Sequence, residues 1–133
     1  MEIVEDQVKN FLIEFVESMT SKKSKLYLDE NVTFIRPSGN PMNLNEWEEM
    51  FDSKDIESIF SKLLFINKLK FYSYGRIAVS VITIHSKFKY KGKENNDVAV
   101  CTLVLENKAD RWKVINMQRS TGRAPDQELP KFN

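Results

Sequence analysis

The sequence predicts an α+β domain, with helices first and a mostly antiparallel sheet after them. Three observations carry this reading. Apolar residues recur at spacings of three and four over residues 3–19, three long strand-like runs follow Arg76, and short polar segments separate those runs. At 133 residues the chain fits one domain, which at that size buries roughly two thirds of the surface its unfolded form exposes.

In the first segment Val4, Val8, Phe11, Leu12, Phe15, Val16 and Met19 form one apolar stripe of an amphipathic helix. The basic stretch TSKKSK then ends the helix, where cations suit its dipole, and a short helical turn is expected in KLYLDE. A strand runs from Asn31 through Ile35 and stops at Pro37, in a turn rich in Gly, Asn and Pro. Asn43 or Asn45 caps a second helix over residues 44–52, with Leu44, Trp47 and Phe51 on one face. Residues 55–75 are ambiguous, beginning with helical spacing and reading as strand by Phe65. The three runs AVSVITIHSKFKY, VAVCTLVLE and RWKVINMQR make a meander joined by the loops KGKENND and NKAD. Residues 124–133, with two prolines and little apolar material, are expected to be an extended or disordered tail of this single domain.

Bulk composition narrows the function classes. Twenty Lys and Arg against 19 Asp and Glu leave a net charge of +1, too little to recruit nucleic acid through a long-range field. No apolar run reaches membrane-spanning length. The single Cys101 lies within a strand-like run and cannot form an intramolecular disulfide, which points to a reducing, cytoplasmic setting. One histidine, without Cys, Asp or Glu at ligand spacing, supplies no metal site, and no cofactor is implied.

Facing residues of an antiparallel ladder share a side of the sheet. Closing the NKAD loop between Glu106 and Arg111 sets Leu105 against Trp112, Leu103 against Val114 and Cys101 against Asn116. Pairing Tyr90 with Val98 adds Val79, Val81, Thr83 and His85 to the same side. Ile82, Ile84, Phe88, Tyr90, Val98, Val100, Val104, Ile115 and Met117 then occupy the other. Both faces are apolar, so the helices are expected to cover one and a second copy of the chain, in a two-fold homodimer, the other.

The order of a long helix, a D-x-x-V-x-F-x-x-P-x-G stretch over Asp29–Gly39, a helix containing Glu46–Trp47, and a final W-K-x-I-x-x-x-R-S motif at Trp112–Ser120 resembles the nuclear transport factor 2-like superfamily, SnoaL-like domains in particular. The resemblance implies a cone-shaped roll, also called cystatin-like, of N-terminal helices packed on a strongly curved, mostly antiparallel sheet. The closing segment is also similar to the association domain of calmodulin-dependent kinases. That family's motif carries histidines where Asn116 and Gln118 stand here, and an arginine matching Arg119 that points into a pocket able to take carboxylates. Two further pocket arginines of that family fall on Val81 and Leu103.

The candidate pocket residues are therefore His85, Thr83, Asn116, Gln118 and Arg119. Trp47 and Tyr27 are candidates for the mouth, although aromatic residues in such places more often pack in the core. Regular pairing puts Arg119 on the side of Met117, away from Asn116 and Gln118, so it enters the pocket only if a bulge shifts the strand by one residue. Two functions fit. One is a non-catalytic homodimeric module that binds a small, partly apolar or carboxylate ligand, or acts through protein contacts. The other is a SnoaL-like isomerase, cyclase or dehydratase with His85 as base. The inner strand positions offer no carboxylate, which weakens the second.

Overall fold

The computed structural model describes residues 3–129, 131 and 132. Helix α1 (Val4–Ser18) and a 3-10 helix (Lys22–Tyr27) precede β1 (Leu28–Ile35) and the two-residue β2 (Pro41–Met42). Helix α2 (Leu44–Asp52) follows, and then β3 (Ile56–Tyr72), β4 (Ile77–Tyr90), β5 (Lys93–Lys108) and β6 (Arg111–Arg119). The strands form one sheet in the order β2-β1-β6-β5-β4-β3. All neighbours are antiparallel except β1 and β6. This is the predicted α+β roll of helices on a mostly antiparallel sheet.

Helix α1 buries Val8, Leu12, Phe15 and Val16, a stripe spaced four, three and one, against the sheet. Glu5 and Asp6 occupy its first turn, where the dipole favours negative charge. The lysines after it do not cap its end. They belong to the 3-10 helix, from which Lys22 pairs with Asp52 at 2.6 Å and Lys25 with Glu48 at 3.3 Å, both on α2. Asn43 caps α2 with a full capping box, its side chain accepting from the Glu46 amide while Glu46 accepts from the Asn43 amide.

Residues 56–72, whose start the sequence reads as either helix or strand, are strand throughout. Three bulges, after Ser58, Leu63 and Ile66, interrupt the β3–β4 ladder. Each inserts a residue, so the positions facing the helices (Ile56, Ser58, Ser61, Leu63, Ile66, Leu69, Phe71) are spaced by two or three rather than by two. That mixture is what imitates helical periodicity. The bulges also bend the strand, and with Lys62, Lys68 and Lys70 exposed they blunt this long sheet edge.

The predicted registers require correction. Lys91 and Gly92, both at positive φ, close the β4–β5 hairpin as a two-residue turn, and Ala109 with Asp110 closes β5–β6 in the same way. Tyr90 thus pairs with Lys93 instead of Val98, a shift of five residues that exchanges the faces of β4. Ile82, Ile84 and Ser86 point toward the helices; Val79, Val81, Thr83 and His85 do not. The polar run Lys93–Asp97, read as loop, is strand, held in part by the Lys87–Glu94 ion pair at 3.1 Å.

On β6 the register holds Leu105 opposite Val114 and then slips, so that Val104 faces Asn116, Leu103 faces Met117 and Cys101 faces Arg119. Ile115 is the extra residue. Beyond it Met117 and Arg119 face inward, whereas Asn116 and Gln118 face out. After β6 the chain stays on β5 through Ser120 and a two-way backbone pairing of Arg123 with Val98. Gly122 permits this approach: a Cβ there would stand 2.6 Å from Asp97 Cβ.

Candidate functional site

Helix α2, the start of β3 and the ends of β4 and β6 line a pocket of about 120 Å³. Its apolar wall comes chiefly from Met19, Phe34, Trp47, Met50, Phe51 and Met117, and its polar wall from Ser58, Ser61, Ser86, Arg119 and Lys87, the last paired with Glu94. None of its lining residues is Asp or Glu.

Arg119 enters because the Ile115 bulge turns the end of β6 by one residue. Its Nη2 donates to Ser86 Oγ at 3.0 Å, reaching across β5. The inward residue of β5 between the Arg119 and Ser86 rows is the small Ala99. A guanidinium offers five donors and no acceptor, and no ion pair of Arg119 occurs among the described residues. It therefore supplies fixed positive charge beside an apolar wall, which suits a carboxylate.

Trp47 is fixed in place. It is 4% exposed, donates from Nε1 to the buried Ser24 Oγ at 2.8 Å, and meets Phe34 and Phe51 edge-on. Three methionines add adaptable surface to the pocket.

Of the seven residues predicted for the site, the pocket contains Arg119 and Trp47. Tyr27 packs against Phe11 and Phe15, with ring centroids 5.5 and 6.0 Å away, and ties the 3-10 helix to α1. Asn116 and Gln118 lie on the outer face, displaced by the same bulge that brings Arg119 in. Thr83 is also on that face, buried there with its hydroxyl donating to Asn67 Oδ1 at 2.7 Å. His85, on the outer face as well, hydrogen-bonds through Nε2 to Asn96 Oδ1 at 2.6 Å and stands edge-on to Phe60. Its partner is an amide, not a carboxylate.

The sequence reading missed Ser61, Ser86, Met50 and Met19. The signal for Ser86 was present in Lys91–Gly92, a two-residue hairpin turn that fixes the β4 faces. For Ser61 no comparable signal exists, because it follows a bulge. Cys101 faces the core behind Arg119, and burial pushes its thiol up to about 11, which makes it a small core residue rather than a nucleophile. Among the described residues no group of three His, Cys, Asp or Glu is placed to hold a metal ion. Nor is any helix there long and apolar enough to cross a membrane.

A family model described as protein of unknown function (DUF3804) matches residues 5–128. The chain belongs to this family. DUF3804 here has the nuclear transport factor 2-like fold: a solved protein of that type from Prochlorococcus is 30% identical, with a TM-score of 0.75 over 87% of this chain and 94% of that one. A second such protein, from Cytophaga hutchinsonii, is 17% identical with a TM-score of 0.75, covering 90% and 98% of the two chains. The association domain of calmodulin-dependent kinase II from C. elegans is 16% identical with a TM-score of 0.66, covering 88% and 94%. No curated protein matches the sequence.

Proposed function

We propose that this DUF3804 chain is a non-catalytic binding module whose pocket takes a small, partly apolar carboxylate. The observation that carries the reading is Arg119, turned inward by a bulge, hydrogen-bonded to Ser86 and without a carboxylate partner among the described residues, opposite a wall of Trp47, Phe51 and methionines. An isomerase needs a base inside the pocket. His85 lies across the sheet from it, and the lining residues include no acid, so the geometry favours binding over proton transfer.

The reading includes a homodimer in a cytoplasmic setting. The outer face presents Val79, Val81, Val100, Val104 and Ile115, all half-buried in one chain, and a second copy would complete their burial. The likeness to a domain named for association supports self-assembly through this face.

Calorimetric titration of the purified protein with 4-methylpentanoate tests the pocket. Saturable binding is expected, weakened about tenfold or more in Arg119→Gln, as for loss of a hydrogen bond between charged groups. Undiminished affinity in that variant would overturn the assignment.

A further inference from the structure

Donors outnumber acceptors on the polar wall. Arg119 uses one of its donors on Ser86 Oγ, and the Ser86 hydroxyl, accepting there, has its own proton left to place; no acceptor for it occurs among the described hydrogen bonds. Ser61 stands directly opposite Ser86 in the β3–β4 ladder. Its Oγ is closed off from solvent and has no hydrogen-bond partner among the described residues. Buried hydroxyls in folded proteins are ordinarily paired, so an orphan lining a pocket calls for a reason. The other orphan, Trp112 Nε1, gives a useful contrast. It lies in the core beside Phe71 and is not among the residues that line this pocket.

Spacing sets what could satisfy Ser61. Facing residues of an antiparallel pair hold their Cβ atoms roughly 5 Å apart, and the guanidinium is 3.0 Å from Ser86 Oγ. A carboxylate seated on Arg119 therefore shares the face of the sheet on which Ser86 and Ser61 stand side by side. We infer that the ligand carries a second acceptor oxygen on the carbon next to its carboxylate, and that Ser61 is the residue that selects it. The ligand class is a 2-oxo or 2-hydroxy acid with a short apolar chain packed on Trp47, Phe51 and Met50. This rests on the carboxylate reading of the pocket and adds a specificity determinant to it.

The test compares 4-methyl-2-oxopentanoate with 4-methylpentanoate by titration calorimetry on the full chain and on Ser61→Ala. The wild type is expected to bind the oxo acid at least about fivefold more tightly. Ser61→Ala should erase that preference, weakening the oxo acid at least about fivefold more than 4-methylpentanoate. The thermal midpoint of the ligand-free variant should stay level or rise, since the change deletes an unpaired buried hydroxyl. Equal affinity of the wild type for the two acids would overturn the inference and leave the carboxylate reading standing. Equal weakening of both acids in Ser61→Ala, or a lowered midpoint, would assign Ser61 a structural role instead. If neither acid binds the wild type, the carboxylate reading falls and the inference with it.

Discussion

Trp47 can shape the pocket only if its indole is held, and the structure gives it one polar tether, the 2.8 Å bond to Ser24 Oγ. Ser24→Ala tests this contact. Both groups are buried, Ser24 completely and Trp47 to 4% exposure, so truncation strands the indole N–H away from water. An orphaned buried donor costs about 1–3 kcal/mol. Ser24 also donates to the Ser21 carbonyl at 2.8 Å, but Ser21 is only half-buried and water can replace that bond. The expected loss is therefore about 2 kcal/mol in urea unfolding, or roughly 5–8 °C in thermal midpoint for a domain of this length. Trp47→Phe removes the donor together with part of the ring. In the double variant the second change should then cost about 1–2 kcal/mol less than it does alone, because no N–H remains to be stranded. A loss below about 0.5 kcal/mol in Ser24→Ala would refute the reasoning, by showing that the indole reaches another partner.

Two further outcomes follow from other parts of the fold. Asp29, buried on β1, accepts from Lys108 Nζ at 2.8 Å and from the Asn31 amide at 3.0 Å, and the Lys108 bond is the main cause that holds its carboxyl below the usual carboxylate range. A depressed folded pKa stabilises the fold at pH above the unfolded value, and this is lost as pH falls through the folded one. Unfolding between pH 7 and pH 2 should therefore show a decline at the acid end that is smaller in Asp29→Asn; equal declines would refute it. On the outer face, light scattering should give twice the chain mass for the wild type and the single-chain mass for Val81→Lys, with unchanged circular dichroism. A monomeric wild type at micromolar concentration would remove the dimer.

The sequence determined a great deal through local pattern. The spacing of Val8, Leu12, Phe15 and Val16 is enough to specify α1, because one stripe must be buried. Asn43 and Glu46 specify the start of α2, since a capping box is made from neighbours in the chain. The apolar alternation after Arg76 specifies strands, and the order of motifs specifies the family of folds. The candidate site was legible only in part. Trp47 and Arg119 could be named from the sequence, but His85 and Thr83 were placed in the pocket by a register that the Lys91–Gly92 turn does not allow, and Asn116 and Gln118 by a strand without the Ile115 bulge.

What only the tertiary structure decided is which way side chains face. Strand faces alternate at every residue, so an odd shift at the Lys91–Gly92 turn moves His85 out and Ser86 in. One extra residue, Ile115, does the same to Asn116 and Arg119. Bulges and two-residue turns leave composition and hydrophobicity unchanged, yet each one-residue offset they introduce exchanges the two faces of a strand. Local pattern therefore fixes the elements, while long-range packing fixes the one-residue offsets that make the pocket.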